Sequence, residues 1–356
     1  MFSKNDGIKR KGVVLLNLGT PDSPESDEVR KYLKNFLMDP FVLDVPFLVR
    51  WCIVHGAILP TRPSLAAAAY QKIWTDRGSP LLFHLEDLVD NVQKKLGDGW
   101  RVEPAMRYGS PSIERAMQVF RGKIQEELLI IPLYPQYSLA ATESSIQECS
   151  RLAKKILPET RLKFVESFFN FDLFIKAFAV NIQETLKDFS YDHILFSFHG
   201  LPERQIRKVD HTRSHCLIEK DCCQSMTTQN LLCYRAQCFT TARLIAEKAG
   251  IARGKYTICF QSRLGRTPWI QPFTDHYYRQ LPKQGVKKIA VVCPAFVADC
   301  LETLEEVQIR GREEFIHNGG IDLKLVPSLN ASEVWVDAVV HLVQHSEGVS
   351  FRQSQH

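Results

Sequence analysis

The chain has 356 residues, 45% of them apolar and 24% charged. These proportions argue against large-scale disorder and allow a sizeable core in two or more lobes. The formal charge of +5 (45 basic, 40 acidic) is spread without dense Lys/Arg runs, which disfavours nucleic acid and leaves a membrane surface or an anionic small molecule.

In chain order, residues 1–11 are polar and basic and lack the apolar core of a signal peptide. A cytoplasmic, reducing compartment is expected, where the ten cysteines are poor disulfide candidates. Gly12–Leu18 is the first β-rich run, followed by Gly-Thr-Pro and a helical pattern over Glu25–Leu37. Phe36–Pro60 is the most hydrophobic region, but Asp39, Asp44 and Arg50 interrupt it. Its longest uncharged run, Trp51–Thr61, is well short of the ~18 residues that suggest a spanning helix. Further β-rich runs are Leu128–Ile131, Ile194–Phe198, Thr257–Phe260 and Ile289–Val292, each followed by a loop. Apolar strands alternating with amphipathic stretches predict an α/β fold with parallel sheets covered on both faces.

The chain also echoes itself. Leu15–Pro21 resembles Leu195–Pro202, and Leu129–Pro132 resembles Val291–Pro294, so two similar lobes are expected with four loops around one cleft. The expected division is a polar segment 1–11, a first lobe 12–165 carrying the apolar region 36–60, a second lobe 166–345 with a cysteine-rich insert 210–238, and a tail 346–356. No Gly-x-Gly-x-x-Gly or Walker sequence follows these strands, which disfavours a nucleotide site. Ligands of open parallel sheets bind beyond the carboxyl ends of the strands.

At those ends lie the side chains able to do chemistry. His199 follows an apolar strand and precedes Gly-Leu-Pro; imidazole titrates near neutrality and binds divalent metals. Asp299, Glu302 and Glu306 share one face if their segment is helical, and neighbouring carboxylates hold protons or attract cations. Tyr134 and Tyr137, Arg107 and Tyr108, Trp269 and Phe296 supply the aromatic and Arg groups that a flat apolar ligand with carboxylates needs. Cys216, Cys222, Cys223, Cys233 and Cys238 fall within 23 residues. In a reducing compartment that density suggests thiolate ligation of an iron–sulfur cluster or a structural zinc, although the spacing departs from the usual Cys-x2-Cys pairs.

Several ordered motifs together resemble the ferrochelatase family, whose members insert ferrous iron into porphyrin. They are Leu16-Asn-Leu-Gly-Thr-Pro21, Arg107-Tyr108, Tyr134-Pro-Gln-Tyr-Ser138, Ser197-Phe-His-Gly-Leu-Pro202, Gln261-Ser-Arg263, Pro268-Trp269 and Asp299–Glu306, and the match spans about Gly12 to Asn330. The resemblance implies two Rossmann-like lobes with a porphyrin cleft between them, the chelatase-like arrangement. It implies that His199 is the catalytic histidine and Glu302 the cleft glutamate, both meeting ferrous iron (Fe2+, a substrate), with Glu306 and Asp299 on a proton or metal path. Porphyrin contacts would come from Tyr134, Arg62, Ser79, Arg107, Tyr108, Leu18, Trp269 and Phe296. Phe36–Pro60 looks like the family's hydrophobic lip, implying peripheral contact with the inner membrane and supply of porphyrin by an upstream enzyme. Two departures stand out. Cys300 replaces a histidine that some members carry two residues before the cleft glutamate. Leu139 stands at the loop position of the C-terminal-type cluster, and no cysteine follows Cys300, so that cluster type is excluded. The internal cysteines instead look like the ligands of a [2Fe-2S] cluster found in some relatives, with Cys216, Cys222, Cys223 and Cys233 preferred and Cys238 as alternate. The expected reaction is protohaem formation from protoporphyrin IX. Coproporphyrin as substrate, and a carrier that binds tetrapyrrole or metal without chemistry, are the competing readings.

Overall fold

The structure is a computed structural model that describes residues 10–263, 265, 267–345 and 349–353. Residues 1–9 of the polar segment, and 346–348 and 354–356 of the tail, lie outside the described residues. Among the described residues nine strands form two sheets: β1 (Arg10–Gly19), β2 (Trp100–Tyr108), β3 (Ile124–Pro132), β4 (Arg161–Ser167), β5 (His193–His199), β6 (Tyr256–Gln261), β7 (Lys288–Val292), β8 (Asp322–Leu325) and β9 (Ser350–Gln353).

The first sheet has the order β2-β1-β3-β4-β9 and the second β6-β5-β7-β8. Strand for strand, β2-β1-β3-β4 matches β6-β5-β7-β8, and all pairs among these eight strands are parallel. The echo in the sequence is therefore a repeat of topology, with β1 equivalent to β5 and β3 to β7. Only β9 runs antiparallel, along β4. Residues expected to form part of a tail thus close an edge of the first sheet, where Arg352 pairs with Glu143 and Glu166.

The central strands carry unbroken apolar runs because helices cover both faces. Val13, Leu15, Leu16, Ile130, Ile131, Leu195, Phe196, Ile289 and Val291 are fully buried. Each such side chain contributes about 1.5–3 kcal/mol of transfer free energy. One core cluster draws residues from both sheets: Val165, Phe168 and Phe174 pack with Phe196, Val292 and Trp335, which joins the lobes.

In both sheets the chain first leaves the starting strand on one side and then returns to the other, so the strand order reverses between β1 and β3 and again between β5 and β7. Crevices open at such reversals. The loops bordering them are Leu18–Pro21, Leu133–Ser138, Gly200–Pro202 and Cys293–Cys300. Among the described residues no helix is long and apolar enough to cross a membrane.

Candidate active site

His199 ends β5, pairing with Gln261 at the end of β6. Its Nδ1 donates to the Gly200 carbonyl oxygen at 2.6 Å. A carbonyl only accepts, so Nδ1 carries the hydrogen, and in the neutral ring Nε2 is left with a free lone pair. The His199 carbonyl accepts from the Tyr234 hydroxyl at 2.9 Å, and the Gly200 amide donates to the Gln261 carbonyl at 2.7 Å. Phe296 stands edge-on to the imidazole, 6.3 Å between centroids.

The carboxylates lie on a helix that changes pitch. A short α-turn, Leu301–Thr303, runs into a π-helix, Leu304–Gly311. The wider i→i+5 turn suits functional sites because it brings side chains four or five apart into line. Glu306 accepts from the Ser262 amide at 2.9 Å and from the Ser262 hydroxyl. Ser262 needs a left-handed backbone for this, with φ of 65°, a conformation that costs a non-glycine residue about 1–3 kcal/mol and clusters at functional sites. Burial raises the Glu306 carboxyl above the usual glutamate range; Ser262 and Arg310 oppose the rise, Glu302 adds to it, and His199 opposes it. The fields of His199, Glu302 and Glu306 therefore overlap. Gln261 steadies the same helix by donating to the Glu302 carbonyl at 2.9 Å. Glu302 also acts on Tyr32 and Tyr70 of the first lobe, whose hydroxyls burial holds well above their ordinary range. Leu301, Leu304 and Ile309 pack against Val29, Ala67 and Tyr70, so the carboxylate helix faces the first lobe. A cavity of about 460 Å³ adjoins Glu306 and is lined by Arg62, Gln261, Ser262 and Arg310 among others.

Asp299 stands apart from this pair. Its carboxylate accepts from the Thr303 hydroxyl (3.0 Å), the Ser328 amide (3.1 Å) and the Asn330 amide group (2.8 Å), which fixes the turn that starts the helix. Arg107 and Tyr108 at the end of β2 are likewise engaged internally. The Arg107 guanidinium meets Asp39 at 2.6 Å and Ser144 at 2.8 Å, and the Tyr108 hydroxyl donates to Asp39 at 2.7 Å. The Ser79 hydroxyl accepts from Thr20 at 2.8 Å. Tyr134 is 3.4 Å from the Ser145 hydroxyl, and burial raises its phenol. Leu18 and Trp269 are partly buried at the carboxyl ends of β1 and just beyond β6, the Trp269 ring lying close over Gly200. Gln261, Ser262 and Tyr234 carry functional geometry without a role assigned from sequence. The Gln-Ser-Arg run after β6 was the available signal, because polar residues following a buried strand face the ligand side.

Each charge that interrupts the apolar lip is engaged by other groups of the chain. Asp39 holds Arg107, Asp44 pairs with Lys208 at 3.0 Å, and buried Arg50 donates to the Leu43 and Val45 carbonyls. Phe47, Leu48, Val49 and Trp51 are left exposed, Leu48 at 75%.

The cysteine insert brings four thiols into a chain. Cys222 and Cys223 sulfurs are 3.7 Å apart, Cys223 contacts Cys233, and Cys233 contacts Cys216. The Leu217 amide donates to the Cys222 sulfur at 3.4 Å and the Arg235 guanidinium to the Cys223 sulfur at 3.0 Å. Contact with Cys216, with burial added, pushes the Cys233 thiol up to about 12. Cys238 is fully buried and contacts Tyr234. Among the described residues no three His, Cys, Asp or Glu side chains are arranged around a single metal ion.

The chain resembles known proteins in sequence and in fold. The chain is 47% identical over 335 residues to a ferrochelatase of Coxiella burnetii (strain CbuK_Q154), covering 94% of this chain and 93% of that one. It is 44% identical to a ferrochelatase of Stutzerimonas stutzeri (strain A1501), covering 94% and 98%. In fold it resembles SirB from Bacillus subtilis with Fe3+, with a TM-score of 0.50, 11% identity and 94% of each chain covered. The sequence model of the ferrochelatase family matches residues 10–347, and the chain belongs to that family.

Proposed function

We propose that the protein inserts ferrous iron into protoporphyrin IX to form protohaem, with His199 and Glu302 as the groups that meet the reacting centre. The observation carrying this reading is the overlap of three titratable groups: a His199 ring with Nε2 free, Glu302, and a Glu306 whose carboxyl burial keeps protonated to higher pH than usual. Insertion requires two pyrrole protons to leave, the macrocycle to bend and the ion to lose water. His199 accepts pyrrole protons at Nε2 or meets the iron on one face of the ring. Glu302 approaches the other face and exchanges protons or iron with Glu306, while Asp299 behind them fixes the start of the helix. Imidazole and carboxylate suit ferrous iron. Tyr134, Leu18, Trp269 and Phe296 wall the macrocycle, and Arg62 receives a propionate. Arg107, Tyr108 and Ser79 support that wall from behind through Asp39 and Thr20. Binding energy from the rim then offsets the cost of bending.

The discriminating experiment mixes purified protein anaerobically with ferrous iron and protoporphyrin. An enzyme produces the haem spectrum with turnover; a carrier shifts the porphyrin spectrum without forming haem. The exposed lip supports protoporphyrin over the four-carboxylate coproporphyrin, because its exposed side chains Phe47, Leu48, Val49 and Trp51 are apolar, and paired turnover rates decide between them. The same surface supports peripheral contact with the inner membrane, where an upstream enzyme would release its greasy product.

Cys216, Cys222, Cys223 and Cys233 are the residues we assign to a [2Fe-2S] cluster, with Cys238 behind them. A two-iron cluster needs pairs of thiolates, and the Cys222–Cys223 and Cys216–Cys233 contacts supply them, with an amide and a guanidinium directed at sulfur. Bound there, such a cluster would supply one-electron redox chemistry. Burial and neighbouring thiols raise Cys222, Cys223 and Cys233 above the ordinary thiol range, so loading must release their protons. A colourless, iron-free sample after anaerobic purification would reject the assignment.

A further inference from the structure

The helix Tyr234–Ala249 touches both sides of the site. The Gln237 side chain accepts from the Tyr137 amide at 2.7 Å, and the Thr241 hydroxyl accepts from Gln136 at 3.1 Å, which ties the helix to the aromatic loop of the first lobe. One turn earlier, the Tyr234 hydroxyl donates to the His199 carbonyl at 2.9 Å. That carbonyl lies at the very end of β5, past the β7 pairing, which runs from His193 to Phe196. The next residue supplies the carbonyl that holds His199 Nδ1. A chain of contacts therefore runs from Tyr234 through the 199–200 peptide and Gly200 to the imidazole.

We infer that Tyr234 is a positioning residue for His199: its hydroxyl fixes the 199–200 peptide, and so keeps the Gly200 carbonyl on Nδ1 and the Nε2 lone pair directed at the substrate. The inference rests on the assignment of His199 as base or metal contact. Tyr234 touches no reacting atom. It is buried among apolar neighbours, so its ring packs independently of what the hydroxyl does, and phenylalanine retains that packing. Without the hydroxyl the 199–200 peptide is held only at its Gly200 amide by the Gln261 carbonyl, so its carbonyl end can tilt, the Gly200 carbonyl shifts on Nδ1, and a displacement of about 1 Å at a reacting group lowers turnover by as much as about 100-fold.

Tyr234→Phe tests this in the full chain. The expected result is a kcat lower by about ten- to 100-fold, a KM for porphyrin within about twofold of wild type, a displaced acid limb of the kcat–pH profile, and a melting midpoint lowered by no more than about 4 °C, so that the protein stays folded in the assay. Residues that act as one unit are not additive, so in a His199→Ala background Tyr234→Phe should lower the residual rate no further. Wild-type kcat and pH profile in Tyr234→Phe overturn the inference, as does a loss of rate that follows only a loss of folded protein. An equal loss in the His199→Ala background also overturns it, since the hydroxyl would then act elsewhere. Failure of the parent reading is separately visible as retained turnover in His199→Ala alone.

Discussion

Gly200 offers a direct mechanical test of how tightly the His199 loop is held. A β-carbon built there lies 2.8 Å from the Gln261 carbonyl oxygen and 3.3 Å from the Trp269 ring. The same oxygen accepts the Gly200 amide at 2.7 Å, so the ends of β5 and β6 cannot separate without weakening that bond. Ordinary contact begins at 3.4 Å; against 2.8 Å the strands must open by about 0.6 Å. Overpacking of this kind costs about 1–3 kcal/mol, and catalytic groups tolerate displacements of only about 0.5 Å. Gly200→Ala should therefore lower stability by about 1–3 kcal/mol in urea unfolding and cut kcat by about ten- to 100-fold in an anaerobic insertion assay. A variant with wild-type kcat and an unchanged unfolding midpoint would refute the claim that close approach of these strands sets the position of His199.

Asp39→Ala should destabilise the protein by about 3–5 kcal/mol in chemical denaturation, because it leaves the largely buried Arg107 charge without its partner; a loss under 1 kcal/mol would remove Asp39 from its supporting role. Glu306 gives a pH signature. Its folded carboxyl is held above the ordinary value of about 4.3, so the stability it contributes is fully present below that value and is lost as pH rises through the raised one. Glu306→Gln cannot ionise, so its melting midpoint should gain on wild type between pH 4 and pH 7; a constant difference across that window contradicts the assignment. Leu48→Glu with Trp51→Glu should abolish co-sedimentation with anionic lipid vesicles while leaving turnover in detergent within about twofold, since each charge opposes burial of an exposed apolar side chain; undiminished vesicle binding counts against the lip as a membrane contact.

The two central strands around each crevice and the edge strand β6 were legible from sequence, and the remaining strands were not. β1, β3, β5 and β7 are apolar runs because helices cover both faces, and β6 was also readable through Thr257–Phe260. The sequence reading did not find β2, β4, β8 and β9. β2 carries Pro104 and alternating charges, and β4 and β8 alternate charged with apolar residues. β9 has only a single neighbour, β4, on which its pattern depends. The positions of His199 and Glu302 followed from motifs beyond buried strands. The supporting residues were harder to find because their roles arise from tertiary contact. Nothing local marks Asp39 as the partner of Arg107, 68 residues away, or Tyr234 as the donor to His199, 35 residues away. The π-helix was also hidden, since an i,i+4 pair of glutamates reads equally as an α-helical face.

The central claim is that His199 Nε2 acts on the porphyrin or its iron, and His199→Ala tests it most directly when binding and insertion are measured on the same sample. Protoporphyrin binding, followed by fluorescence, should keep its Kd, while haem formation from ferrous iron under anaerobic conditions should fall by about 10²- to 10⁴-fold. Turnover within a few-fold of wild type in that variant would contradict the account.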